Sequence, residues 1–233
     1  MRPAISEKRA PVAHTEENAF LFAADYAGLA GVLRTESISK RVLDCIGALV
    51  GLLAILPIAP LIALAIRLET RGPAIVALNR ISQGRRIRVY KFRSMIIGAD
   101  RLKHSLLHLN ERHDGPFFKI KDDPRLTRVG RLIRKFRLDE FPQLVNVLKG
   151  ELSLVGPRPH EPAEVAQYPD MYKHLILAKA GVTGLSQVNG ASSLPFTTEL
   201  ALDSRYLAEQ SLGLDVKILA KTAAILFFDP TAV

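Results

Sequence analysis

The order of apolar and polar positions divides the chain into a few segments. From Val42 to Ile66 the sequence VLDCIGALVGLLAILPIAPLIALAI is apolar almost throughout, and Lys40, Arg41, Arg67 and Arg71 bracket it. About 20 apolar residues cross the hydrocarbon core of a bilayer, so the run has the length for a tilted span. Pro57 and Pro60 lie inside it, and each removes a backbone donor and crowds the preceding turn. The first arm, ending at Leu56, then reaches only about 22 Å, short of a core of roughly 30 Å. Basic residues stand at both ends and continue through Arg80, Arg85, Arg86 and Arg88, without the one-sided excess that accompanies a spanning helix. The pattern predicts a helix-break-helix that enters one leaflet and returns, with both ends on the cytoplasmic side. A full span competes with this reading, and a buried core helix is a third. Ala63-Leu64-Ala65 mimics a signal-peptidase site, but the long leader before the apolar run argues against a secretory signal.

Beyond this segment the periodicity changes. GPAIVALNRISQGRRIRVYKFRSM holds two strand-like runs around Ser82-Gln83-Gly84, which predicts a hairpin, and Arg86 and Arg88 alternate with Ile87 and Val89 to make one face basic. GADRLKHSLLHLNERHDG predicts a helix with Leu102, Leu106 and Leu109 on one stripe. His104, His108 and His113 lie on or beside it without a carboxylate to complete a metal set, so they are read as solvated. SLGLDVKILAKTAAILFF predicts a C-terminal helix, either lying along a headgroup layer or packing on a core. Before the apolar run the leader carries no strong pattern beyond a short helix around Glu16 to Leu33.

Charge narrows the partners. Lys and Arg number 32 against 23 Asp and Glu, a formal charge of +9, so anionic ligands are expected: nucleic acid, phospholipid headgroups or phosphorylated small molecules. Trp is absent and aromatics are only 6%, which disfavours the stacking platforms of single-strand binders. Cys45 is the only cysteine, which excludes an intramolecular disulfide, and its apolar setting argues against a catalytic thiol.

The segment RKFRLDEFPQLVNVLKG holds the candidate chemistry. Phe141, Leu144, Val145 and Leu148 recur at helical spacing, Pro142 suits a first turn and Gly150 a stop, so Asp139 and Glu140 fall at a helix N-terminus. There a carboxylate serves as an ordinary N-cap. Adjacent carboxylates cannot straddle a sugar as a glycosidase requires. They can share a divalent cation, one carboxylate acting as ligand and the other as nucleophile toward phosphorus. Arg131, Arg134, Lys135 and Arg137 precede the pair, and Arg158 stands between two prolines in SLVGPRPHEP, positions suited to phosphate.

In combination the order KRVLDCIGALVGLLAILPIAPLIALAIRLETRGP, YKFRSM, FFKIKDDPRLTRVGRLIRKFRLDEFPQLVNVLKGELSLVGPRP, KAGVTGLSQVNG and LDVKIL, from about Lys40 to Leu219, resembles the bacterial sugar transferases of the monotopic polyprenyl-phosphate phosphoglycosyl transferase family. The resemblance implies transfer of a sugar-1-phosphate from a UDP-sugar to a polyprenyl phosphate such as undecaprenyl phosphate, with release of UMP. That is the first membrane step toward capsule, exopolysaccharide, O-antigen or glycoprotein glycans. It implies Mg2+ and residence on the cytoplasmic face of a bacterial inner membrane, with no nucleic-acid partner; a homodimer stays open. By motif, Asp139 matches the family's nucleophile, and Glu140 matches its partner in holding Mg2+. Arg134 and Arg158 match the arginines near the phosphates and uridylate. Lys91, Arg93, Asp203 and Asp215 match recurrent positions, as substrate contacts or as structural salt bridges.

The expected architecture is α+β: residues 1–38 a leader, 39–71 the re-entrant membrane helix pair, and 72–233 a catalytic domain with a small β-hairpin and amphipathic interfacial helices. Departures from the family pattern are Leu56 before Pro57 where Ser is common, Arg137 for Ser, Phe141 for Leu and Asn79 for Gln. The multi-pass region of longer relatives is not seen, which suggests the minimal catalytic form. A membrane-tethered nucleic-acid binder and a scaffold without chemistry are the competing functions.

Overall fold

The computed structural model describes residues 37–190 and 193–228, and the helix expected around Glu16 to Leu33 lies outside them. Helix α1 spans Ile38–Ile55, and the Ser37 hydroxyl accepts the Lys40 N–H at 3.2 Å as its N-cap. After Leu56, Pro57 and Ile58 the chain turns by 60° into α2, Ala59–Glu69. The two prolines do different jobs. Pro57 occupies the break, whereas Pro60 sits in the first turn of α2, where a missing N–H is not needed. Among the described residues no single helix is long and apolar enough to cross a membrane, and the bent pair reaches that length and composition only jointly.

The pair has two faces. Ile38, Val42, Ile46, Leu49 and Leu53 of α1 point outward, as do Leu61, Leu64 and Leu68 of α2. Inward, Ala48 joins a core with Val89, Leu144, Val147 and Leu154, while Ile55, Ile62 and Ile66 join a second with Ala74, Phe92 and Ile133. Two glycines one turn apart open α1 to the first core. A Cβ at Gly51 would stand 2.6 Å from Leu144 Cδ1, and one at Gly47 would collide with Leu154 Cδ1.

Polar groups fasten the start of α1 to the same body. Lys40 Nζ donates to Val155 O at 3.0 Å and to Asp215 Oδ2 at 2.8 Å, and Tyr206 Oη donates to Asp215 Oδ1 at 2.7 Å. Asp44, inside the run that reads as apolar, accepts from Ser153 Oγ at 2.7 Å and Leu154 N at 2.9 Å. A buried carboxylate is tolerated when hydrogen bonds replace its water.

Strands β1, Ile75–Ser82, and β2, Arg85–Phe92, form the expected antiparallel hairpin, with Ser82 opposite Arg85 and Ile75 opposite Phe92. Gln83 and Gly84 have φ of 52° and 69°, the two-residue left-handed turn that matches strand twist. Arg86 and Arg88 face solvent and Val89 is buried, as the alternation predicts. Helix α3, Arg128–Lys135, is capped by Thr127 and by Glu69 from the end of α2, which accepts the Arg128 and Val129 N–H groups at 2.6 and 2.9 Å. Helix α4, Gln143–Lys149, stops at Gly150, φ 80°. Strand β3, Ser153–Val155, pairs in parallel with β4, Gly181–Thr183. Around them lie α5, Pro162–Val165, α6, Leu185–Val188, α7, Phe196–Glu209, and α8, Leu212–Phe228. The mixture of helices and small sheets is α+β.

One expectation needs correction. The leucine stripe of residues 102–109 is not a packed α-helix: the chain makes turns and a 3-10 helix over His104–Leu109, and Leu102 and Leu109 are exposed. Among the described residues none of His104–Leu109 is buried, and a stripe that packs on nothing gives a helix little support. The expected helix α4 forms, with Gln143, Leu144, Asn146 and Val147 buried and Val145 and Leu148 exposed at 37% and 39%. Asn146 is drawn inward because its amide accepts from Tyr90 N at 3.0 Å and donates to Arg88 O at 2.8 Å, which ties α4 to β2. Helix α8 packs on the core through Asp215 and Ile218 and leaves Val216 and Lys217 exposed.

Candidate active site

Asp139 and Glu140 stand in a 3-10 turn, Leu138–Glu140, between α3 and α4. The turn opens on Arg137, held at φ 53°, a left-handed conformation that a non-glycine side chain rarely adopts and that costs on the order of 1–3 kcal/mol. Leu138 and Phe141 pack against the cluster of Ile55, Ile62 and Ile66, so the carboxylates are braced directly on the bent helix pair. Neither carboxylate caps α4. Its N-cap is Pro142, with no side-chain cap hydrogen bond, and the ordinary capping role therefore does not account for the pair.

Each carboxylate has a distinct setting. Lys91, in β2, donates from Nζ to Glu140 Oε1 at 2.6 Å. Burial works against the Glu140 charge, but Lys91 and then Arg158 outweigh it and hold the carboxyl down at about 2. Asp139 is almost fully buried, and that burial raises its carboxyl above the usual range, with Lys91 pulling down and Glu140 pushing up. Neighbouring carboxylates driven apart in this way can hold different protonation states at one pH.

Two arginines complete the surroundings. Arg134, in the last turn of α3, donates from Nε to Ser94 Oγ at 2.9 Å. Arg158 lies in the Gly156-Pro157-Arg158-Pro159 loop after β3, and its backbone N–H donates to Asp203 Oδ2 at 2.9 Å. Its Nε stands 3.9 Å from Glu199 Oε1, beyond hydrogen-bond reach, and among the described residues its guanidinium donates no hydrogen bond. A part-exposed guanidinium with its donors unengaged is an anion receptor.

The remaining predicted residues behave differently. Arg93 is buried against α2 and donates to Arg71 O and Thr70 O, each at 2.8 Å, so its guanidinium closes the C-terminal end of that helix instead of joining the carboxylates. Asp203 touches the site through the Arg158 backbone. Burial pushes its carboxyl up to about 6, and Oδ1 has no hydrogen-bond partner among the described residues. Asp215 is a structural ion-pair partner of Lys40. The imidazoles of His104, His108 and His113 join no metal set: among the described residues no group of three or more His, Cys, Asp or Glu could hold an ion.

Several groups escaped the sequence reading. Ser94 orients Arg134, and its signal was its place in YKFRSM. His160, two residues beyond Arg158, donates or accepts at Glu199 Oε1 over 3.0 Å and meets the Tyr168 hydroxyl through its other nitrogen. His160 was visible in GPRPHEP, whereas nothing in the local sequence of α7 marks Glu199.

Comparison with known proteins places this geometry in context. The family profile described as bacterial sugar transferase matches residues 35–229. Galactosyl transferase CpsE of Streptococcus agalactiae serotype III is 42% identical over 190 residues, 81% of this chain and 42% of that protein. Undecaprenyl-phosphate galactose phosphotransferase of Salmonella typhimurium is 43% identical over 158 residues, 66% of this chain and 33% of that protein. The exopolysaccharide production protein ExoY of Sinorhizobium fredii is 34% identical over 189 residues, 79% of this chain and 84% of that protein. The chain thus spans less than half the length of the first two relatives and most of the third.

Proposed function

Because this chain belongs to the bacterial sugar transferase family, we propose that it moves a sugar-1-phosphate from a UDP-sugar to polyprenyl phosphate at the cytoplasmic face of a bacterial membrane. One observation carries the reading: adjacent carboxylates, one buried and one ion-paired, lie among Lys91, Arg134 and Arg158 on a turn seated against an apolar bent helix pair. A soluble phosphorylated donor and a lipid phosphate can meet only where an anion site adjoins the bilayer, and this site adjoins the surface that would enter it. The outward apolar rows of α1 and α2 are the surface we assign to the lipid, half-inserted and returning.

In the first step a carboxylate oxygen of Asp139 bonds to the β-phosphorus of the donor, and the bond to the bridging oxygen breaks, so that UMP leaves with that oxygen. In the second step an oxygen of polyprenyl phosphate attacks the same phosphorus and displaces the Asp139 carboxylate, giving polyprenyl-diphosphate-sugar. Arg158 and Arg134 bind the donor's phosphate oxygens, and Lys91 keeps Glu140 ionised and in place beside the nucleophile. Mg2+ suits this donor set, because it binds through one or two carboxylates and takes phosphate and water for the rest. Asp139 and Glu140 would hold it, and it would supply charge neutralisation at the phosphates. The names of relatives support a sugar phosphate donor and, in the Salmonella protein, an undecaprenyl-phosphate acceptor.

Incubation with a panel of UDP-sugars labelled in the sugar, without lipid, should leave label on Asp139 and release UMP for the correct donor. Adding polyprenyl phosphate should discharge it. Release of UMP without a protein adduct would overturn the covalent route, and failure with every UDP-sugar would overturn the donor class.

A further inference from the structure

Behind Arg158 lies a row of buried groups that no step above uses. Helix α7 presents two carboxylates one turn apart, Glu199 and Asp203, both nearly inaccessible to solvent. Asp203 takes the backbone N–H of Arg158 at 2.9 Å, and Glu199 lies 3.9 Å from its side-chain Nε. Glu199 is itself held: its Oε1 meets His160 Nε2 at 3.0 Å, and the far nitrogen of that ring meets Tyr168 Oη. Phe117 closes over the row, with ring centroids 4.8 Å from His160 and 5.0 Å from Phe196, the first residue of α7. Burial opposes the Glu199 charge, but His160 and Arg158 prevail and keep its carboxyl below the usual range. Asp114 Oδ2 accepts the Phe196 N–H at 2.5 Å and pins the start of the helix.

A buried carboxylate is costly unless it is paired, and Glu199 has Arg158 at 3.9 Å and a hydrogen bond to the His160 ring at 3.0 Å. Flanking prolines stiffen the Arg158 backbone, but they do not choose a rotamer for its long side chain. An unrestrained arginine loses rotamer freedom in any complex it forms. A fixed anion just outside hydrogen-bond range attracts the guanidinium without engaging its donors, which remain available to phosphate.

We propose that Glu199, oriented by His160 and Tyr168, is a positioning residue that aims the Arg158 guanidinium at the phosphates of the donor. The proposal rests on the transferase reading for the identity of that anion. Tyr168 fixes the His160 ring, His160 fixes Glu199, and Glu199 selects the Arg158 rotamer. None of the three touches the reacting atoms.

The test is a mutant cycle on the full chain in lipid nanodiscs, read by calorimetric binding of UDP and by UMP release with the donor that wild type accepts. Glu199→Gln keeps the shape and a hydrogen bond to His160 while removing the charge, and melting curves check that the variant is folded at the assay temperature. UDP affinity and kcat/KM for the donor should fall about 10-fold, with KM for polyprenyl phosphate unchanged. Tyr168→Phe should give a smaller loss of the same kind. In an Arg158→Ala background Glu199→Gln should cost nothing further, because the group it aims is gone. Equal losses in both backgrounds, or unchanged UDP affinity in Glu199→Gln, would overturn the proposal. Should wild type bind UDP in an Arg158-dependent and Glu199-dependent way yet release no UMP, the transfer reading falls while the positioning role stands. Absence of UDP binding to wild type would sink both.

Discussion

Single residues decide what each polar group near the site is for. Asp139→Asn keeps the shape of the turn but removes the nucleophilic oxygen, so adduct formation should vanish and turnover drop by about 1000-fold or more; burst measurements of UMP release would check both. Arg93 is expected to act differently. Because it closes the carbonyl end of α2, Arg93→Met should lower the melting temperature, by a loss of about 2–3 kcal/mol, while KM for the donor stays put. A raised KM with normal stability would return Arg93 to the substrate. Asp203 supplies the pH test. Its carboxyl is raised from 3.8 to about 6, so the folded protein holds a proton that the unfolded chain releases, and the contribution of this one group to stability is fully present below pH 4 and is lost as pH rises through 6. Asp203→Asn can still accept the Arg158 N–H, so above pH 6 it should be more stable than wild type, by up to about 3 kcal/mol, and equally stable at pH 4. Thermal melts at pH 4 and pH 8 compare the two.

At the level of elements, local pattern and packing carried different amounts of information. Period-two alternation around a glycine specified the hairpin and its basic face, because the turn and the pleat are set by neighbouring residues. The same kind of local spacing misled at Leu102, Leu106 and Leu109, since a stripe makes a helix only when another element covers it. Inside the apolar run, Gly47 and Gly51 read as mere composition, although they form the groove that receives Leu154 and Leu144. Gly51→Val should force α1 away from α4 and cost about 1–3 kcal/mol, measurable as a fall in the melting temperature, whereas Leu53→Val on the outward face should leave it within a degree or two.

For the whole molecule, the apolar helix pair is joined at both ends to one body, through Lys40 and Asp44 at the start and Glu69 and Arg71 at the finish. An α1 of 18 residues reaches only about 27 Å, less than a hydrocarbon core of roughly 30 Å. In a Cys45→Ser background, cysteines introduced by Arg9→Cys and Arg85→Cys should therefore both be shielded from a thiol reagent added outside intact cells. Labelling at one of them alone would establish a crossing segment. Sequence alone determined the broken apolar run, the hairpin, and the carboxylate pair with its basic neighbours, because backbone propensity, proline chemistry and motif order are properties of adjacent residues. Only the tertiary structure decided that Lys91 reaches Glu140 across 49 positions, that Arg93 turns away to α2, and that Glu199 stands behind Arg158. Ion pairs between distant segments depend on how cores bring those segments together, and no local pattern encodes that distance.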